Sequence, residues 1–236
     1  MIQTIIFDLD DTIIVSDVPY QTLWESPIKH YQSKLGDLEF TTLYKAIREY
    51  AAWYWSDPER HRQGRLELLK YRRLVVKNAM EKLGYSNEKI AYKIADGFSA
   101  TRTAHEVLVP RALETLEELR GRGLKLGLIT NGGPDMQRPK IDKFNLEPYF
   151  DNILIEGEFG CGKPDERVFR HTLEKLNATP DAAWMTGDDL NRDIAPCNGL
   201  GIFSLWVNVN GDGLAPDAKA RPDKIIKSIA EIPAML

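Results

Sequence analysis

The 236-residue chain predicts an α/β fold, a doubly wound parallel sheet with an all-helical block inserted after its first strand. Three observations predict it. Beyond Val109-Pro110, short apolar runs that read as buried strands alternate with helical segments, and repeated βα units imply a parallel sheet with helices on both faces. From about Pro19 to Arg102 the pattern is helix after helix, with almost no strand signal. Polar residues capable of chemistry follow several of the predicted strands, at the edge where a parallel sheet binds ligands.

Element by element, Ile5-Ile6-Phe7 is the first strand and Asp8-Leu9-Asp10-Asp11-Thr12 an acidic turn after it. In the helical block, Leu66, Leu69, Lys70, Arg73, Val76, Lys77 and Met80 have the three-and-four spacing of an amphipathic helix. Gly84 falls where that helix would stop, and Ser86 where the next would open. Trp53, Tyr54 and Trp55 cannot share one helix face, so the block's core takes some of these rings and leaves at least one outside it. Arg60, His61, Arg62 and Arg65 follow Pro58 in a predicted turn. They read either as contacts for an anionic substrate or as a solvated basic turn.

After the block, Leu113, Leu116, Glu117 and Arg120 lie on a helix that Gly121 and Gly123 end. Lys125 to Thr130 is a strand followed by the turn Asn131-Gly132-Gly133-Pro134. Asn152 to Ile155 is another strand, before a Gly160-Cys161-Gly162 loop. Pro164 starts a helix running to Leu176. Ala182 to Thr186 and Gly201 to Val207 are the last two strands, and Asn210 to Gly213 is a surface loop on composition. The predicted division is therefore an α/β core of residues 1–14 and 106–236 with a helical domain of 15–105.

Composition limits the function classes. Hydrophobic residues at 43% and charged residues at 28% suit an ordinary soluble domain. The net charge of −4 and isoelectric point near 5.7 argue against a nucleic-acid surface held by bulk charge. Cys161 and Cys197 are too few for a disulfide scaffold or a four-thiolate zinc site. No apolar run reaches the roughly 18–20 residues of a membrane span, and the N-terminus lacks signal-peptide features. The expected setting is the cytoplasm, with no membrane or nucleic-acid partner, as a monomer or homodimer. His30, His105 and His171 lack metal-ligand spacing.

The chemistry-bearing residues converge on one sheet edge. If strand geometry continues past Phe7, period-2 alternation sends Asp8 and Asp10 to the same side. Like charges so close call for a cation, and oxygen ligands suit Mg²⁺. The competing reading is a polar loop of N-capping aspartates. Thr130, with Asn131, Gly132 and the N–H groups of their turn, can hold a phosphoryl oxygen, or the hydroxyl can simply satisfy its own turn. Lys163 sits at a predicted helix start, which favours anions, so it needs Asp residues or a phosphate beside it. One carboxylate of Gly187-Asp188-Asp189-Leu190-Asn191-Arg192-Asp193 can complete the Mg²⁺ set, and Asp193 suits a pair with Lys163. Helix capping is the alternative for Asp189 and Asp193.

In this order, the D-x-D-x-T pattern of Asp8, Asp10 and Thr12, the strand-end Thr130, Lys163, and the G-D-x₄-D pattern of Gly187, Asp188 and Asp193 resemble the haloacid dehalogenase superfamily, over essentially the whole chain. The resemblance implies a Rossmann-like core with the helical block as its cap. It also implies Asp8 as nucleophile, Asp10 as general acid/base, Thr130 and Lys163 on the phosphoryl group, and Mg²⁺ held by Asp8, the Asp10 carbonyl and Asp188. Pro196-Cys197-Asn198 departs from the small residues usual after the last motif. The expected activity is Mg²⁺-dependent hydrolysis of a small phosphorylated metabolite through an aspartyl-phosphate. Dehalogenation of a 2-haloacid, phosphomutase chemistry and non-catalytic binding are the alternatives. Dehalogenation needs neither a leaving-group acid nor a metal, and both Asp10 and the Asp188 motif are retained.

Overall fold

The computed structural model describes residues 2–211, 213–214 and 220–236; Asp212, in the predicted surface loop, lies outside them. Strands β1 (Thr4–Phe7) and β2 (Ile14–Ser16) precede helices α1 (Tyr20–His30), α2 (Gln32–Leu35), α3 (Phe40–Ser56), α4 (Pro58–Leu66), α5 (Leu68–Lys82) and α6 (Glu88–Ala104). Then come β3 (Glu106–Leu108), α7 (Ala112–Gly121), β4 (Lys125–Thr130), α8 (Pro134–Lys143), β5 (Asn152–Ile155), α9 (Glu156–Phe159) and α10 (Glu166–Leu176). The chain continues through β6 (Ala183–Gly187), α11 (Ala195–Leu200), β7 (Phe203–Val207) and β8 (Lys224–Ile226). It divides into two compact units, Met1–Val15 with Leu108–Leu236, and Ser16–Val107.

The first unit is built on a six-stranded sheet in the order β5-β4-β1-β6-β7-β8, parallel throughout. Alternation along β1 supplies both faces: Ile5 and Phe7 join one apolar cluster with Leu126, Leu128 and Leu116. Ile6 joins the other with Ile129, Met185 and Phe169. Strands buried on both faces read as continuous apolar runs, which is why β1 and β4 were legible. The chain builds outward from β1 through β4 to β5, then returns to build outward on the other side through β6, β7 and β8. The strand order reverses at β1, and a doubly wound sheet opens its ligand crevice at such a point.

The second unit is helical, and its core joins Leu23, Trp24 and Ile28 of α1 to Leu43 and Ile47 of α3, Val75, Val76 and Ala79 of α5, and Ile94 and Phe98 of α6. Trp24 stacks on Phe98 with centroids 3.9 Å apart. No helix among the described residues is long and apolar enough to cross a membrane.

Several local expectations are corrected. β1 stops at Phe7, and the chain turns at once: Ile13 N–H donates to the Leu9 carbonyl at 2.9 Å and Asp11 adopts φ 57°. Strand alternation therefore does not relate Asp8 to Asp10. The helix expected from Pro164 starts at Glu166, capped by Asp165, whose carboxylate accepts the Arg167 N–H at 3.0 Å. Lys163 thus precedes the helix, joined to Pro164 by a cis peptide, and its placement has another cause. Arg60, His61, Arg62 and Arg65 lie on α4, because Asp57 caps that helix through Arg60 N–H at 2.8 Å and Pro58 presets its first turn. Asn87, not Ser86, caps α6. The stripe predicted from Leu66 onward is buried only in its C-terminal part, where Val75, Val76, Ala79 and Met80 enter the core, whereas Leu69 is exposed. The short strands β2, β3 and β8, three residues each, carry too little pattern to read.

Candidate active site

Asp8 leaves β1 directly: its N–H donates to the Thr186 carbonyl of β6 at 2.9 Å, which sets it beside the Gly187-Asp188 turn. The Lys163 ammonium lies between two carboxylates, 2.6 Å from Asp8 Oδ1 and 2.6 Å from Asp193 Oδ1. All three side chains are almost fully buried. Burial lowers the affinity of the Lys163 amine for its proton, but attraction by Asp193 and Asp8 outweighs this and holds the ammonium above its ordinary range. These partners, rather than a helix terminus, explain a buried lysine here.

The main chain of Lys163 is clamped as well. Asn131 Nδ2 donates to its carbonyl at 2.7 Å, and its N–H donates to Asn131 Oδ1 at 2.8 Å. Gly162 makes this approach possible, since a Cβ there would sit 2.5 Å from Asn131 Oδ1 and 2.5 Å from Glu156 Cδ. Gly187 plays the same part for Asp193, whose Cγ would meet a Cβ at 2.4 Å.

Asp8, Asp188 and Asp193 each place a carboxylate oxygen within 4.8 Å of the other two. The three are not equivalent. Asp193 is fully committed, with Oδ1 on Lys163 and Oδ2 accepting the Asp189 N–H at 3.0 Å. Asp189 is spent on capping the turn after β6, where it accepts from Asn191 and Arg192 N–H at 2.9 Å each. Asp8 Oδ2 and the Asp188 carboxylate have no donor among the described residues. Burial, followed by the charge of Asp193, raises Asp8 to about 7 against the pull of Lys163. Burial, followed by Asp8 and Asp193, raises Asp188 to about 8. Two carboxylates with oxygens free of donors, close to each other and to a third acid, are a site a hard divalent cation fits, because its charge offsets their mutual repulsion.

Asp10 stands apart from this pair and is held by α8. Lys140 Nζ donates to Asp10 Oδ1 at 2.7 Å and Oδ2 at 2.9 Å, and Gln137 Nε2 donates to Oδ2 at 2.9 Å. The same Gln137 Nε2 lies within hydrogen-bond distance of the Thr130 hydroxyl and the Asn131 carbonyl, so its two hydrogens are shared among three oxygens and tie Asp10 to the end of β4. The Gly132 N–H, expected to face a phosphoryl group, instead donates to buried Glu156 at 2.9 Å. Gln137, Lys140 and Glu156 are the polar neighbours missed from sequence. The available signal was two polar residues, Gln137 and Lys140, on the inward face of α8 beside Ile141.

Arg60 and Arg62 are engaged within the helical unit. Arg60 caps the end of α3, donating to the Trp53 and Tyr54 carbonyls at 2.9 and 3.1 Å with its guanidinium over the Trp53 ring. Arg62 forms a two-point pair with Glu59 at 2.7 and 2.9 Å.

A haloacid dehalogenase-like hydrolase family model matches residues 2–201. The chain belongs to this family. It is 32% identical to phosphoserine phosphatase of Thermus thermophilus over 249 residues, covering 97% of this chain and 96% of that protein. With glyceraldehyde 3-phosphate phosphatase of Pyrococcus furiosus it shares 29% identity over 87% of this chain and 80% of that one. Among solved structures, a 2-haloacid dehalogenase of Pseudomonas syringae superposes with a TM-score of 0.64 at 28% identity, over 99% and 97% of the two chains. YfnB of Bacillus subtilis superposes with a TM-score of 0.76 at 19% identity, over 100% and 98%, a likeness of fold alone.

Proposed function

We propose that this hydrolase is a Mg²⁺-dependent phosphatase that cleaves a small phosphorylated metabolite through an aspartyl-phosphate on Asp8. The observation carrying the proposal is the open pair, Asp8 Oδ2 and Asp188, beside a lysine already neutralised by Asp8 and Asp193. Asp8 and Asp188, with the Asp10 main-chain carbonyl, would hold Mg²⁺, which offsets the repulsion between a carboxylate nucleophile and a phosphate dianion.

Asp8 attacks phosphorus, and the bond to the leaving oxygen breaks as Asp10, which enters this step as the carboxylic acid, gives that oxygen its proton. Asp10, now a carboxylate, takes a proton from the water that attacks the aspartyl-phosphate, and the Asp8 carboxylate departs. Lys163 and the Thr130 hydroxyl stabilise charge on the equatorial oxygens. Lys140 and Gln137 fix where Asp10 stands during both proton transfers. The helical unit, residues 16–107, acts as a cap that selects the substrate.

Relatives acting on phosphoserine and glyceraldehyde 3-phosphate support a substrate of that size. The dehalogenase relative leaves 2-haloacid hydrolysis as the second reading. Turnover of p-nitrophenyl phosphate with and without Mg²⁺, alongside chloride release from a 2-haloacid, separates the two. Asp8→Asn should abolish phosphate release while leaving the circular dichroism spectrum unchanged; chloride release without phosphatase activity would reverse the assignment.

A further inference from the structure

Several cations in the helical unit are paired with acids. Arg73 makes a two-point pair with Asp96 at 2.7 and 2.8 Å, Lys77 meets Glu88 at 2.7 Å, and Lys70 meets Glu67 at 2.8 Å. Arg72, the residue before Arg73, is held differently. Its Nη1 donates to a neutral hydroxyl, Ser99 Oγ, at 2.6 Å, and its guanidinium lies 4.8 Å above the Phe98 ring. No carboxylate pairs with it among the described residues.

Arg102 has no acid paired with it among the described residues either. It lies one turn beyond Phe98 and Ser99 on α6, a spacing that puts the three on one helix face. It is half-buried and has neither a hydrogen bond nor an ion pair among the described residues. Burial first, and then the charge of Arg102, lowers the Arg72 guanidinium to about 10, while Tyr20 and Glu106 attract it without pairing. A third guanidinium, exposed Arg48, lies 4.9 Å over the Tyr20 ring, which packs edge-on against Phe98 at 5.5 Å. It too lacks an acid partner among the described residues.

Two half-buried guanidinium groups set near each other with no acid paired to either repel and lose hydration, a cost that a bound anion would offset. The guanidinium fork matches the two oxygens of a carboxylate or phosphate. We propose that Arg72 and Arg102, with the Ser99 hydroxyl, form an oxyanion-binding site on the helical unit, taking a carboxylate or phosphate-type group. The oxyanion comes either from a second acidic group on the phosphorylated substrate, a source that rests on the phosphatase reading, or from a free ion such as inorganic phosphate, which does not.

The test uses full-length wild type, Arg102→Gln, and Arg72→Met/Arg102→Gln, with Met keeping the Arg72 stem over Phe98. Each is assayed on p-nitrophenyl phosphate and on phosphoserine, which carries a carboxylate, and each is titrated calorimetrically with inorganic phosphate in EDTA. Without ligand, Arg102→Gln should melt at or above the wild-type temperature, because it removes an unpartnered charge; a lower melting temperature would mean an internal partner and overturn the site. A fall of tenfold or more in kcat/KM on phosphoserine, carried by KM, with p-nitrophenyl phosphate within twofold, supports a substrate group as the ligand. Loss of a phosphate-binding event in the variants supports a free ion. Equal losses on both substrates, or no change in kinetics and titration, overturns the site. If wild type hydrolyses neither compound the phosphatase reading fails, and the phosphate titration alone then decides for or against the site.

Discussion

Replacing Lys163 by Met keeps a stem of similar length and removes the charge between Asp8 and Asp193. Both ion pairs measure 2.6 Å, and the side chains are 3%, 11% and 1% exposed, so solvent screens them little. Gross attraction is roughly 4 kcal/mol per pair at 4 Å and an effective dielectric near 20. Most of it offsets the cost of taking three charges out of water. Removing one member leaves that cost uncovered, typically about 3–5 kcal/mol for a buried pair. The metal-free variant should therefore lose about 3–5 kcal/mol at pH 8.5, read from hydrogen exchange of the β1 and β6 amides, which isolates the sheet from the helical unit. The loss should shrink at pH 6. Lys163 keeps its proton across this range in wild type, whereas in the variant Asp8, already raised to about 7, can become neutral. A loss under about 1 kcal/mol at both pH values, or an equal loss at each, would refute the view that Lys163 is held by charge pairing.

Burial and mutual repulsion raise Asp8 to about 7 and Asp188 to about 8, so between pH 4 and 8 the native state binds more protons than the unfolded chain, and metal-free stability falls as pH rises. Mg²⁺ held by these carboxylates would displace those protons, so its stabilising shift in thermal melts should grow from pH 6 to 8.5; a shift that shrinks over that range speaks against these ligands. Asp10→Asn and Lys140→Met should both slow an alkyl phosphate more than p-nitrophenyl phosphate, because only the alkoxide needs its proton, and Lys140→Arg should restore part of the loss; equal slowing on both substrates argues against Asp10 as the acid. Gly187→Ala inserts a Cβ 2.4 Å from Asp193 Cγ. It should cost about 1–3 kcal/mol in urea unfolding and lower kcat, since Asp193 must move off Lys163; wild-type stability and kcat would show that the contact yields freely.

Much of the sheet was legible in the chain. β1 and β6 are buried throughout and β4 in all but Lys125, so burial writes itself along those strands, while β5, at the sheet edge, is fully buried only at Leu154 and Ile155. The three-residue strands β2, β3 and β8 were not legible, since they are too short to show a period. Asp8, Thr130, Lys163 and Asp188 announced themselves because charge or hydroxyl at the end of a buried strand, or between Gly162 and Pro164, has little structural reason to be there.

Which of those groups meet was settled only in three dimensions. Asp8, Lys163 and Asp193 are far apart along the chain, and parallel register alone brings Phe7 level with Thr186 and so Asp8 beside Gly187. Asp189 and Asp193 are indistinguishable as letters; the turn after β6 spends one on its own N–H groups and aims the other at Lys163. The arginines divide in the same way. Sequence drew attention to Arg60 and Arg62 because they cluster, yet both find partners within their own helix or the one before it, whereas Arg72 and Arg102, thirty positions apart, have no acid paired with them among the described residues. Composition and periodicity determine which residues are buried and which types are present at an edge. Partnership between charges depends on distances of a few ångströms across the chain, which only the folded backbone decides.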